Sequence, residues 1–191
     1  MLTSPAGMAC NQYMRIFIGL GIMGMICAGG CATSNPSTST STPTAASSFT
    51  ATDRAWIEIN IAMDEQLVPM LALVGSHTGS AAVRDLGEKA DASTKSELLD
   101  LRRLHDQADL PAENPHKGME MPGMVSSNQI THAGALRDTD FDSYFKKCLR
   151  DHLDQTGRLA LDENSSGKEP QTVSLASRVL QEQDRLSALA E

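Results

Sequence analysis

Aromatic residues are scarce in this chain of 191 residues: one Trp, two Tyr and four Phe, 4% in all. All-β sandwiches and barrels build their strands from aromatic and β-branched residues, so the scarcity argues against them. Positive charge is short as well, with 16 Lys and Arg against 24 Asp and Glu and a formal net charge of -8. A phosphate backbone needs a basic face, so nucleic acid is excluded as the main partner. No apolar run reaches the ~20 residues that a membrane-spanning helix takes. The chain also lacks a Gly-rich phosphate loop, a nucleophile elbow, a zinc-protease motif and a Glu-x-x-His pair on any helical stretch. It is therefore read as non-enzymatic.

Cysteine is present four times, at 10, 27, 31 and 148, but not where a disulfide could form in a folded domain. Arg15 is the only charged residue before Asp53; it precedes the apolar run Ile16 to Ile26 and then Ala28-Gly29-Gly30-Cys31. A basic start, a short apolar segment and small residues before a Cys describe a secretory signal and resemble a bacterial lipobox. Residues 1–30 are thus expected to be a lipoprotein-type signal peptide, with translation starting at Met14. Cys31 is expected to become the lipidated first residue of a protein anchored to the outer face of the cell membrane. Cys10 and Cys27 would leave with the signal, so Cys148 alone remains in the domain and no disulfide is expected.

Residues 31–52 are rich in Ser, Thr and Pro and carry no charge. Such a stretch buries too little surface to offset its ordering entropy, so a flexible, disordered tether is expected. From Asp53 the periodicity is helical. Segments at about 53–75, 80–109, 140–162 and 170–190 each carry an apolar stripe spaced three or four residues apart. The stripes include Trp56, Met63, Leu67 and Met70 in the first, and Phe141, Phe145, Leu149 and His152 in the third. Pro69 should kink or break the first helix, and Asn164-Ser165-Ser166-Gly167 should stop the third. Two helical hairpins joined by a long connection, about 111–139, make an all-α four-helix bundle the economical fold for 53–191.

That connection contains Met121-Pro122-Gly123-Met124, and Phe141 to Phe145 is followed seven residues later by His152. In the first hairpin, Met63 and Asp64 stand seven and eight residues after Trp56. With these motifs the chain resembles the DUF305 family, ferritin-like four-helix proteins made of two similar hairpins. In that family each half carries an aromatic residue followed by a His-His pair. The resemblance implies a ferritin-like bundle here. At the pair positions this chain has Met63-Asp64 and His152-Leu153, so one of four histidines remains.

Two residue sets are candidates for a metal. Thioethers are soft donors that favour Cu(I), and imidazole is a good copper ligand. His116, Met119, Met121 and Met124 lie within one Gly- and Pro-containing loop and form the first set. Met63, Asp64 and His152, at the altered family positions, form the second. The bland reading is that the methionines fill irregular gaps and His152 is a hydrogen-bonded core residue. Copper is the expected cofactor if there is one, and the membrane, through the lipid, is the expected partner. The functional expectation is an exported lipoprotein that binds or buffers copper. The alternative is a surface interaction module that kept the fold and lost the site.

Overall fold

The computed structural model describes residues 48–190; the signal segment, Cys31 and most of the tether lie outside them. Helix α1 (Ala51–His77) starts at a reciprocal cap. The Asp53 N–H donates to the Thr50 hydroxyl at 3.3 Å, and the Thr50 N–H donates to the Asp53 carboxylate at 2.6 Å. The helix thus begins two residues before the expected boundary. Phe49, the lone large apolar residue of the Ser/Thr-rich stretch, packs against core residues. The end of the expected tether is therefore part of the fold. Pro69 does not break α1: it lies on the exposed side of a helix that runs on from Ala51 to His77.

Helix α2 (Ala81–Gln107) is capped by the Ser80 hydroxyl, which accepts from the Val83 N–H at 3.3 Å. Helix α4 (Asp138–Ser166) is longer at both ends than its periodicity suggests. Asn164, Ser165 and Ser166 stay helical, and the stop comes at Gly167, whose N–H donates to the Glu163 carbonyl at 2.7 Å. Helix α5 (Pro170–Ala190) opens on a proline, whose missing N–H costs nothing in a first turn. The long connection between the hairpins holds a further helix, α3 (Ser127–Ala135), with its own Ser126–Gln129 capping box. Its nine residues bury only Ala133 fully, too little for an apolar stripe to show in the sequence.

The hairpins α1–α2 and α4–α5 pack so that α1 also lies on α4 and α2 on α5. The result is an all-α, ferritin-like four-helix bundle of two hairpins, as the sequence implied, with α3 laid against α1 and α4. No helix among the described residues is long and apolar enough to cross a membrane. Two apolar clusters fill the bundle. One gathers Met70, Leu86, Phe141, Phe145, Leu149 and Leu186; the other gathers Trp56, Ile57, Leu101, Leu104, Leu175 and Val179. Each fully buried large side chain contributes on the order of 2 kcal/mol against its exposed state. Along each of the four long helices the two clusters are separated by a few central residues. Those central residues are largely polar.

Candidate functional site

Asp64 of α1 and His152 of α4 meet in this central layer. His152 Nε2 lies 3.5 Å from Asp64 Oδ1, and the two side chains are 4% and 1% exposed. The second family-derived set is thus brought together by the fold. Glu97 of α2 faces the same layer and acts electrostatically on His152. Helix α5 adds Gln183, whose amide sits so close to α4 that a Cβ on Gly157 would fall 2.3 Å from its Oε1. Between these groups is a cavity of about 20 Å³ lined by Thr94, Glu97, His152, Thr156 and Gln183. That is room for about one water molecule.

Burial decides the protonation states. It pushes the Asp64 carboxyl well above the usual range, reinforced by the charge of Glu65. It pushes His152 down to about 4, with Glu97 and the backbone of Gly123 acting the other way. Glu97 is likewise raised by burial and by Asp64, against His152 and Arg178. At neutral pH the imidazole is neutral and has a lone pair to offer. Its Nδ1 is buried without a hydrogen-bond partner, as are Asp64 Oδ2 and Glu97 Oε1. Native interiors rarely leave such atoms unpaired, and an unpaired group costs about 1–3 kcal/mol.

Next to this layer the connection folds back onto the bundle. Met124 is buried and Met121 half-buried, and both pack with Met63 and Ala62 of α1. The Gln66 side-chain amide points its Nε2 at Met124 Sδ, 3.7 Å away. Gly123 makes this approach feasible. Its φ is +79°, and a Cβ there would stand 2.5 Å from Gln155 Cβ and 2.7 Å from the carbonyl of Asp151, the residue just before His152 on α4. Three thioethers from two elements thus pack together, and their chain neighbours Asp64 and Gly123 both reach His152. The other two members of the loop set are placed differently. Met119 is 45% exposed and outside the cluster. His116 is half-buried, and its Nδ1 also lacks a partner.

Among the described residues no three His, Cys, Asp or Glu side chains converge as a metal cluster. A metal here has to draw on the thioethers. Met63, Met121, Met124 and the open Nδ1 of His152 suit a soft, monovalent ion, whereas two carboxyls whose ionisation burial opposes do not suit a hard one. The remaining histidines do structural work. His77 Nε2 lies 3.1 Å from the Gly134 carbonyl, and the ring packs on Phe141. His105 is half-buried with Nε2 3.1 Å from the Pro111 carbonyl. His132 sits edge-on to Tyr144. Cys148 is a free, buried thiol, raised above its usual value by burial.

Sequence reasoning overlooked Glu97, Asn60 and Gln66. A signal existed for Glu97: Val83, Leu86, Ala90, Thr94, Glu97, Leu101 and Leu104 keep the three-four spacing of an inward stripe. Asn60 holds the equivalent inward place in α1, where its amide donates to the Trp56 carbonyl at 2.8 Å.

The family model described as "Domain of unknown function (DUF305)" matches residues 51–188. The crystal structure of a DUF305 fragment from Deinococcus radiodurans superimposes with a TM-score of 0.66 at 14% identity, covering 74% of this chain and 94% of that one. A DUF305 protein from Streptomyces coelicolor, described as a candidate secreted protein, gives a TM-score of 0.66 at 18% identity, covering 73% and 88%. No curated protein matches the chain.

Proposed function

The chain belongs to the DUF305 family, and from that premise we propose that it is an exported, lipid-anchored protein that binds or buffers copper as Cu(I). The observation that carries the copper reading is the packing of Met63 with Met121 and Met124, whose chain neighbours Asp64 and Gly123 reach a neutral His152 with a buried, unpartnered nitrogen. Thioethers and imidazole keep copper reduced without supplying net negative charge, and the low dielectric of the bundle favours a singly charged ion over a doubly charged one. Met63 and His152 come from rigid helices, and the loop supplies Met121 and Met124. The exposed Met119 and half-buried His116 stand near the loop's outer side and suit transient capture. Export is supported by the Arg15 start, the Ile16 to Ile26 run and the small residues before Cys31, together with the secreted description of the Streptomyces relative.

Competition of the purified protein against a Cu(I) chelator tests the site. Uptake of one equivalent is expected, weakened at least tenfold by M63L/M121L/M124L and by H152L, and little changed by M119L. No uptake would leave the interaction-module reading, which the replacement of three of the four family histidines favours. Anchoring is tested separately: Cys31→Ser should move the protein from the membrane fraction to the soluble fraction.

A further inference from the structure

A second group of buried acids lies where α1 begins and the α4–α5 turn passes. Asp53, Glu163 and Glu169 are 0%, 0% and 4% exposed. Asp53 is fully supplied with donors. Its Oδ2 accepts from the Thr50 N–H and hydroxyl, both at 2.6 Å, and its Oδ1 from the Lys168 and Glu169 N–H groups at 2.8 and 3.0 Å. Glu169 is supplied as well, its Oε2 accepting from the Thr172 N–H at 2.6 Å and hydroxyl at 2.8 Å. Glu163 is not. Neither of its carboxyl oxygens meets a donor, and the turn is pressed against it, since a Cβ on Gly167 would fall 2.2 Å from its Oε1.

Glu163 nevertheless lies within hydrogen-bond reach of Asp53. Two carboxylate anions cannot satisfy each other, because neither has a hydrogen to give. A bridging cation is disfavoured: Asp53 already accepts four hydrogen bonds, and no metal-type cluster occurs among the described residues. We propose that Glu163 keeps its proton at neutral pH and donates it to Asp53, and that this bond fastens the start of α1 to the α4–α5 turn until alkaline pH releases it. The pair closes a circuit between residues more than a hundred positions apart, at the point where the tether region enters the fold.

The electrostatics agree. Burial raises Glu163 to about 8, reinforced by the hydrogen bond to Asp53 and by the charges of Asp53 and Glu169. The groups acting on it from α1 and from the turn are both carboxylates; Lys168 lends only its N–H to Asp53, and its side chain is exposed. Burial opposes ionisation of Asp53 too. The Thr50 hydroxyl, the Glu169 and Thr50 N–H groups and the Glu163 carboxyl overcome it and hold Asp53 well below its usual range. The sign for Glu163 follows from linkage. The folded protein holds this proton up to about pH 8, and the unfolded chain only up to the ordinary 4.5. The bond's contribution is therefore complete below about 4.5 and is lost as pH rises through about 8.

Amide hydrogen exchange on the full chain tests the proposal at the Lys168 and Glu169 N–H groups, which donate to Asp53. After correction for intrinsic exchange, their protection should fall by up to roughly tenfold per pH unit, the limit for one linked proton, as pH rises from about 5 to about 8, and should level off above that. E163Q, whose amide donates the same bond without titrating, should keep protection flat across that range. A carbon-NMR titration of the wild-type Glu163 carboxyl needs no variant and should place its midpoint near 8. A midpoint between about 4 and 5, or an equal loss of protection in E163Q, overturns the proposal.

Discussion

The two buried acidic groups of this bundle are built on opposite terms. At the start of α1, Asp53 accepts four hydrogen bonds, Glu169 accepts two, and the odd carboxyl, Glu163, has an acceptor within reach. In the central layer, Asp64, Glu97 and His152 each keep a buried polar atom unpaired, and Glu97 and His152 line a cavity of about 20 Å³. Asp64 and His152 are as deeply buried as Asp53 and Glu163. What separates them is the supply of backbone N–H donors. Helix and turn ends expose free N–H groups, as at Thr50, Lys168, Glu169 and Thr172, whereas the middle of a helix has spent all of its own. Acids at the bundle end can therefore be satisfied from the backbone, and acids in its middle depend on each other, on water or on a bound ligand. The first arrangement holds the fold together; the second is where a site belongs.

The largest expected effect breaks the closed group. Asp53→Ala strips the acceptor from four donors, some of them buried, and removes the capping box. It should cost about 3 kcal/mol in urea unfolding, with fraying at the start of α1. A cost near zero would show that the bundle end is not held by this carboxylate. Next in size is Gly123→Ala, which forces a side chain into a left-handed conformation and onto the Gln155 side chain and Asp151 carbonyl. It should destabilise by about 2 kcal/mol and weaken Cu(I) uptake, because Met121 and Met124 are carried on the displaced loop. The smallest effect sharpens the contrast from the open side. Replacing Asp64 and His152 together by Leu removes two under-satisfied groups and should change stability by less than about 1 kcal/mol, or raise it, while uptake falls. A loss comparable to that of D53A in the same unfolding experiment would mean that the central layer is as fully paired as the end.

Much of the fold was legible in the sequence. The four long stripes, the Ser80 and Pro170 helix starts and the two-hairpin arrangement all appear in the structure. The departures have local causes. Thr50 and Asp53 move the first helix start into the Ser/Thr-rich stretch, and Ser126 with Gln129 starts a helix too short to show a stripe. The candidate site was legible in part. Met63, Asp64 and His152 were marked by their spacing from aromatic residues, and Met121 and Met124 by their closeness in the chain. Closeness in the chain also grouped Met119 and His116 with them, and the fold sets Met119 apart in solvent. Glu97 and Glu163 went unmarked because a charged residue inside an apolar stripe reads as an interruption of it, when in this bundle the half-buried Glu97 and the buried Glu163 each face a partner on another helix.

Helix number, helix faces and the all-α class follow from residue spacing alone, since a 3.6-residue period is a local property that any stretch of chain carries with it. The meeting of Met63 with Met121 and Met124, the approach of Asp64 to His152 and the pairing of Asp53 with Glu163 were decided only by tertiary packing. Each joins elements far apart in the chain. Whether a buried acid is satisfied or left open depends on which helix ends, turns and side chains the bundle sets against it, and no periodicity records that.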